Sequence, residues 1–240
     1  VSEDPWKPLI NHAISAEHPP GSVYKIPASL GALNEEVVDL YEEIFCPPSL
    51  IIMQKFSPND PGTPQEFVDW KDEGHGLVDW HHAIAYSADV YYYQISGGYQ
   101  DVVEDGLGIW RMAEYSRAIG YGEPTGIELP GEEDGLVPDP DWKRINQGES
   151  WATGDTYIAS MGQGFVLATP LQVAAAYSVI ANDGKYMQPT IVYEYLDSEG
   201  NVVKPFEPQL KWDVTVDPVI TVFDEFSYDT GEKRPIESYV

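Results

Sequence analysis

A serine and a lysine three positions apart, Ser22 and Lys25, are the side chains of this sequence best suited to chemistry. They follow a rigid Pro-Pro-Gly turn at residues 19–21. Residues i and i+3 of a helix share one face, with Cβ atoms about 5–6 Å apart. The Lys25 amine could then take the proton of the Ser22 hydroxyl, provided that burial or a nearby cation lowers the lysine pKa from about 10.4. This spacing also arises by chance, so a plain helix start with an exposed lysine is the competing interpretation.

Helices are expected to position these residues. The pattern of apolar residues predicts a first helix from residue 22 to about residue 40, and a second over residues 79–95 that carries Ser87-Ala88-Asp89. A third helix is predicted over about 107–119, where it ends at a glycine. A fourth begins at residues 169–172, where threonine, proline and glutamine form a helix start.

Glycine, proline and acidic residues dominate the segments between these helices. Residues 46–76 are predicted to be an irregular loop that could carry ligands, and residues 121–155 a long connection. A hairpin is predicted between residues 191–196 and 202–203. Beyond Pro205 the pattern predicts no definite structure.

The composition restricts the classes of partner. The 240 residues carry 40 acidic and 13 basic side chains, a formal charge of −27, which argues against nucleic acid or an anionic membrane surface. A solvated acidic surface, as in proteins that work in high salt, explains this charge more simply than a cationic ligand does. The single cysteine, Cys46, excludes an internal disulfide. The sequence shows no signal peptide and no apolar run of about 18 residues that could span a bilayer.

Several stretches together resemble one family, the class B penicillin-binding proteins, and in particular the transpeptidase domain of the elongation-type enzyme, penicillin-binding protein 2. The first two are Ser22-Val23-Tyr24-Lys25 after Pro-Pro-Gly, and Ser87-Ala88-Asp89, which is similar to the family's second motif in its Ser-x-Asp form. The further similar segments are residues 120–131, 138–143, 154–157 and 161–184. The similarity is collinear from about residue 5 to residue 208, and this common order makes the combination specific although each motif is short.

The resemblance implies an α+β fold of the transpeptidase/serine β-lactamase type and a D,D-transpeptidase that cross-links peptidoglycan stem peptides and is acylated by β-lactams. By position, Ser22 would be the acylated nucleophile, with its N–H as half of the oxyanion hole, and Lys25 would be its base. Ser87 would relay a proton, and Asp89 would hold the substrate or the surroundings of Lys25. The resemblance further implies cell-wall elongation proteins as partners and an extracytoplasmic location, with any anchor outside this chain.

Two departures from the family pattern lead to further expectations. The third motif, Lys-Thr/Ser-Gly, is absent, and Asp229-Thr230-Gly231 is the nearest string. Strands that should precede the nucleophile have only 21 residues before Ser22 in which to form. We therefore expect a transpeptidase domain truncated at both ends, with mostly its helical subdomain over residues 1–208, most of its central sheet missing, and a divergent or truncated tail over 209–240. Acylation should be slow, because loss of one oxyanion donor costs about 10²–10³ in rate.

The resemblance also points to a metal site. Asp69 and His75 match positions at which some penicillin-binding protein 2 members hold zinc, and Cys46 lies near the position of another ligand. A cysteine of the family pattern is replaced by Ala88, and Asp72 is a further candidate ligand. Zinc accepts Cys, His and Asp in tetrahedral sites, so a structural zinc on Cys46, Asp69 and His75 would order the loop, although catalysis would need no cofactor. The competing interpretation is a buried cysteine and a histidine that caps a turn.

Two other functions stay open from the sequence. One is a β-lactam hydrolase or sensor on the same fold, but a hydrolase needs a deacylating base near Ser22 and no residue is evident for that role. The other is a non-catalytic fragment, zinc-ordered or not, that binds cell-wall partners. The missing third motif favours this second alternative.

Overall fold

The computed structural model describes residues 9–55, 60–224 and 228–237. A 3₁₀ helix, Gly21–Tyr24, runs directly into α2. The α-helices described within these ranges are α1 (His12–Ser15), α2 (Lys25–Asn34), α3 (Trp80–Tyr86), α4 (Asp89–Gly97), α5 (Ile109–Ala118), α6 (Pro140–Gln147), α7 (Thr153–Ser160) and α8 (Pro170–Ala181). None of them is long and apolar enough to cross a membrane.

The strands of the described ranges pair only two by two, and every pair is antiparallel. They are β1 (Ile44–Cys46), β2 (Ser49–Gln54), β3 (Thr63–Val68), β4 (Gly76–Val78), β5 (Lys185–Met187), β6 (Tyr195–Leu196), β7 (Val202–Lys204), β8 (Leu210–Asp213), β9 (Ile220–Phe223) and β10 (Asp229–Arg234). The pairs are β1 with β4, β2 with β3, β5 with β8, β6 with β7, and β9 with β10. Helices and separate antiparallel strand pairs make this an α+β structure, as predicted.

The core is formed mainly by helices around α4, which packs against α2, α5 and α7. Its largest fully buried side chains are mostly tyrosines: Tyr24, Tyr91, Tyr92, Tyr115, Tyr121, Tyr157 and Tyr186. Tyrosine combines a large apolar ring with a hydroxyl that needs a partner when it is buried. The core is therefore crossed by hydrogen bonds between helices, and one of them joins Tyr24 to Ser116 at 2.6 Å.

Two predicted helices have different bounds in the structure. The first ends at Asn34 rather than near residue 40, because the chain turns at Glu36, whose φ is +54°. The second is broken into α3 and α4 at Ser87, whose φ is +56°. The helix predicted over about 107–119 is confirmed as α5. The helix predicted after residues 169–172 is confirmed as α8, with the capping box of Thr169 and Gln172 formed.

The loop predictions were wrong in part. Residues 46–76 are not all irregular, because about half of those described lie in β1, the hairpin of β2 and β3, or β4. The hairpin buries Leu50 and Phe67 while neighbouring Ile51 and Val68 are exposed, which is the alternation of a half-buried sheet. The connection over 121–155 contains α6 and the start of α7. The predicted hairpin exists in a shorter form, as β6 and β7.

The segment beyond Pro205 packs against the rest of the chain. β8 pairs with β5, and Ile220 of β9 and Ile236 after β10 are buried in the core. Arg234 donates to Glu35, next to the end of α2, at 2.6 Å. These contacts join the last strands to the helix that begins with Lys25.

Candidate active site

Ser22 lies exposed on the 3₁₀ helix Gly21–Tyr24, immediately before α2. The N–H of Gly21 donates to the carbonyl of Gly162 at 2.9 Å. Both glycines have positive φ, where a side chain is strained, and a Cβ on Gly162 would lie 2.5 Å from the carbonyl oxygen of Gly21. This close approach of two backbone segments fixes the turn that presents the serine hydroxyl.

Lys25, the first residue of α2, has a side chain that is only 3% exposed. Its Nζ donates to the carbonyl and to the Oγ of Ser87, each at 2.8 Å, and to Oδ1 of Asp89 at 2.5 Å. These bonds use all three hydrogens of an ammonium group. Burial lowers the pKa of Lys25 from its ordinary 10.5, while the carboxylate of Asp89 opposes the shift. Burial thus makes Lys25 easier to deprotonate to the neutral amine than an exposed lysine is.

Ser87 occupies the break between α3 and α4 and links Lys25 to Ser22. Its left-handed conformation, φ +56°, ends α3, and its N–H donates to the carbonyl of Ile84. Its Oγ accepts from Lys25 and donates to Oγ of Ser22 at 2.9 Å. The structure therefore brings the four predicted catalytic residues together, and the connection from Lys25 to Ser22 runs through Ser87.

This row of polar atoms can pass a proton in either direction. When Lys25 is charged, it donates to Ser87, and Ser87 donates to Ser22. When Lys25 is neutral, both hydrogen bonds can reverse, so that the Ser22 hydroxyl loses its proton to Ser87 as Ser87 passes its own to the amine. The arrangement suits a serine that attacks a carbonyl and a leaving group that needs a proton.

The loop after β3 supports the Ser87 turn, a role that the sequence analysis missed. The Trp70 indole N–H donates to the carbonyls of Tyr86 and Ser87, at 3.2 and 3.1 Å. Oδ2 of Asp69 accepts from the N–H of Val90, in the first turn of α4, at 3.0 Å. A sequence pattern cannot reveal these contacts, because the partners are 16 to 21 residues apart and on different elements.

The structure does not form the predicted zinc site. Asp69 and His75 are both buried and lie together, with His75 Nε2 3.1 Å from Asp69 Oδ1. Cys46 and Asp72 complete no cluster with them: among the residues described, no group of three His, Cys, Asp or Glu side chains could hold a metal ion. The residues present do not fit a zinc ion, and we correct the prediction accordingly.

The surroundings of Cys46 and Asp69 explain this result. Cys46 is buried, and its Sγ lies 3.7 Å from the carbonyl of Ile44 and 3.9 Å from Nε2 of Gln94. Burial, with the charge of Asp69 adding to its effect, raises the pKa of the Cys46 thiol to about 12. The oxygens of Asp69 are used by the backbone N–H groups of Lys71 and Val90 as well as by the histidine. The competing interpretation of Cys46, a buried hydrophobe, fits these contacts.

Asp229-Thr230-Gly231, the string nearest to a third motif, lies in β10. β10 pairs with β9, which contacts α5, and its last residue, Arg234, binds Glu35 beside the C-terminal end of α2. Ser22 precedes the opposite end of that helix. At about 1.5 Å per residue, the ten residues of α2 alone separate the two ends by about 15 Å.

Comparison with known proteins decides the family. The family model described as "Penicillin binding protein transpeptidase domain" matches residues 2–222 of the chain. The chain belongs to this family. The resemblance stated from the sequence is confirmed, and so is the fold class, here represented by helices and two-stranded antiparallel pairs.

Individual relatives agree with this assignment. The chain is 36% identical over 186 residues, 78% of its length, to the peptidoglycan D,D-transpeptidase MrdA of Acinetobacter baumannii, of which the match covers 25%. Penicillin-binding protein 2 of Helicobacter pylori in complex with MreC is similar at 33% identity and a TM-score of 0.68, covering 86% of this chain and 35% of that one. Penicillin-binding protein 2 of Pseudomonas aeruginosa in complex with WCK 5153 is similar at 28% identity and a TM-score of 0.72. This match covers 88% of this chain and 43% of that one. The chain thus spans about a quarter of the curated relative and less than half of the two solved structures.

Proposed function

We propose that this chain carries the acylation residues of a peptidoglycan D,D-transpeptidase, with Ser22 as nucleophile, Lys25 as base and Ser87 as proton relay. Asp89 is the counter-ion that keeps Lys25 in place. The observation that carries this proposal is the hydrogen-bonded row of these four residues, which joins two segments 65 residues apart in sequence. The activity named for the relatives supports it.

The proposed reaction begins with neutral Lys25. The Ser22 Oγ attacks the carbonyl carbon of the terminal peptide bond of a stem peptide, and its proton passes to Ser87 as Ser87 passes its own to Lys25 Nζ. The C–N bond breaks, and the same row returns a proton to the leaving amine. The amine of a second stem peptide then attacks the ester on Ser22 and forms the cross-link. Side chains carry out the attack and the proton transfers, so the proposed reaction calls for no cofactor.

Stabilisation of the oxyanion is the weaker half of the proposed site. We assign one donor to the backbone N–H of Ser22, in the position implied by the family resemblance. The sequence contains no Lys-Thr/Ser-Gly motif to supply the second donor and a cation for the substrate carboxylate. Because one such donor is worth about 10²–10³ in rate, we expect this chain to acylate more slowly than a penicillin-binding protein 2 that has the motif, by about that factor.

The ligands and location of the proposed enzyme follow from the same assignment. Its substrates would be peptidoglycan stem peptides, and β-lactams would acylate Ser22 as their analogues. Cell-wall elongation proteins would be its partners, in line with the complex of the Helicobacter pylori protein with MreC. Such work takes place on the extracytoplasmic side of the cell membrane. The charge of −27 argues against nucleic acid as a partner.

The proposal is tested by labelling the 240-residue chain with a fluorescent penicillin and identifying the modified peptide by mass spectrometry. We expect a slow, stable adduct on Ser22 that is lost in Ser22→Ala. Ser49→Ala removes a half-buried hydroxyl on β2 that bonds Glu66; it is the matched control and should label like the unchanged chain. Absence of any adduct in the unchanged chain over many hours would contradict the proposal and leave the non-catalytic alternative. An adduct released in seconds would instead identify a β-lactam hydrolase.

A further inference from the structure

Two side chains on α2 face two side chains on α4 and form two rungs between the helices. Lys25 and Ser29 are four residues apart on α2, and Asp89 and Tyr92 are three apart on α4, so each pair lies on one helix face. The first rung is the ion pair of Lys25 and Asp89 at 2.5 Å. The second is the hydrogen bond between Ser29 Oγ and the Tyr92 hydroxyl at 2.9 Å.

A diagonal contact connects the two rungs. Lys25 Nζ lies over the ring of Tyr92, 5.1 Å from its centroid. Tyr92 is fully buried, and its ring is held at the hydroxyl end by Ser29 and at its side by an edge contact with the ring of Tyr91. The ring therefore has little freedom to move away from the ammonium group.

The charged groups around Lys25 leave a role for the Tyr92 ring in positioning the ammonium group. Asp89, on α4, and Asp69, in the loop after β3, are the carboxylates whose charge acts on Lys25, and the rest of α2 carries no ionisable side chain. Both carboxylates attract the ammonium group, yet within the described ranges it is Ser87 that connects this group to the nucleophile. An aromatic face within about 6 Å attracts a cation most strongly where water is excluded.

We propose that Tyr92 is a positioning residue: its ring holds Lys25 Nζ against Ser87 and stabilises the ammonium group that forms when Ser22 gives up its proton. This inference rests on the proposed function for its role in the reaction. The contact itself can be tested without that reaction. The spacing of residues in the sequence is consistent with this contact, because Tyr92 follows Asp89 by one helical turn just as Ser29 follows Lys25.

The first test measures the titration of Lys25 directly, by NMR of the 240-residue chain with ¹³C at lysine Cε, with the signal assigned by its loss in Lys25→Met. Removing the ring in Tyr92→Leu should lower the Lys25 pKa by about 0.5–1.5 pH units, whereas Tyr92→Phe, which keeps the ring, should leave it close to that of the unchanged chain. Tyr186→Leu removes an equally buried ring that stacks on Trp212, and should leave this titration unchanged.

A second substitution covers the case in which Tyr92→Leu does not fold. Pentafluorophenylalanine at position 92 keeps the ring shape of Phe but reverses the charge distribution of its face, so it should lower the Lys25 pKa relative to Tyr92→Phe. A Lys25 pKa that is unchanged or raised, in Tyr92→Leu or with the fluorinated ring, would overturn the inference. So would an equal shift in Tyr186→Leu.

The acylation assay then separates the two proposals. If the unchanged chain forms the penicillin adduct, the acidic limb of its pH–rate profile should move to lower pH in Tyr92→Leu by the same amount as the NMR titration. An unmoved limb would refute the role in proton transfer. If the unchanged chain forms no adduct, the proposed function fails, and the NMR result alone decides whether Tyr92 holds the lysine.

Discussion

Replacement of Asp89 by Asn removes the carboxylate that pairs with a buried ammonium group. Lys25 is 3% exposed and Asp89 is 21% exposed, so the pair is largely but not fully removed from water. Removing one partner of a buried ion pair costs about 3–5 kcal/mol, and the partial exposure of Asp89 reduces our expectation to about 2–4 kcal/mol. For a chain of this size, that loss lowers the melting temperature by about 5–15 °C.

The sign of the pH dependence follows from the direction of the pKa shift. Burial already lowers the pKa of Lys25 from 10.5, and loss of Asp89, which opposes burial, lowers it further. For a group whose pKa is depressed by folding, stability is present above the unfolded pKa and is lost as the pH falls through the folded pKa. The deficit of Asp89→Asn relative to the unchanged chain should therefore be largest near pH 6 and shrink towards pH 10, where Lys25 can fold as the neutral amine.

Urea unfolding at pH 6 and pH 10 measures this difference, and taking each variant against the unchanged chain at the same pH cancels the other titrating groups. Asp141→Asn is the control, because Asp141 and Arg144 form an exposed pair worth about 0–1 kcal/mol. In a Lys25→Met background, Asp89→Asn should cost less than about 1 kcal/mol, since no buried charge remains. An equal cost at both pH values, or an undiminished cost in the Lys25→Met background, would refute the reasoning.

Two further substitutions test the supports of the site by urea unfolding. Gly162→Ala places a Cβ 2.5 Å from the Gly21 oxygen and should lower the free energy of unfolding by about 2–4 kcal/mol. Gly148 has a similar positive φ but open space around it, so Gly148→Ala should cost only about 1 kcal/mol. Equal costs would show that the close approach is unimportant. Gln172→Ala removes a buried amide that bonds three backbone groups and should lower the free energy of unfolding by about 2–4 kcal/mol. The control is Gln147→Ala, on an exposed part of α6, and a similar cost for both changes would contradict this account.

Local signals in the sequence were sufficient where the structure is also local. The start of α8 is an example, because the capping box joins Thr169 to Gln172 only three residues away. The spacing of Ser22 and Lys25 likewise placed both residues at a helix start, although Ser22 lies on a 3₁₀ helix and Lys25 begins α2. Positions of strands over 46–76 were not predicted, because the prolines and glycines of that segment hid the alternation of Leu50 and Phe67 with exposed neighbours.

The break at Ser87 could not be predicted from local propensity. Residues 79–95 have the composition of one continuous helix, and the left-handed conformation of Ser87 is unfavourable for a residue with a Cβ. The conformation is stabilised from outside the helix, by Lys25 and Trp70, which both donate to the Ser87 carbonyl. Strain of this kind is retained where surrounding contacts determine the backbone, and here it turns the Ser87 hydroxyl towards Ser22.

The contacts around Lys25 suit its charged form. Lys25 uses all three N–H groups as donors, and Ser87, which accepts one of them at its Oγ, can only donate its own hydrogen onward to Ser22. In this state Ser22 receives a hydrogen bond at the oxygen that must attack. Loss of a single proton from Lys25 reverses both bonds and makes Ser22 the donor. Burial makes this proton easier to lose, but it also requires Asp89 to stabilise the charge of Lys25 before the reaction. The same burial therefore favours the neutral base and disfavours the charged lysine of the folded site.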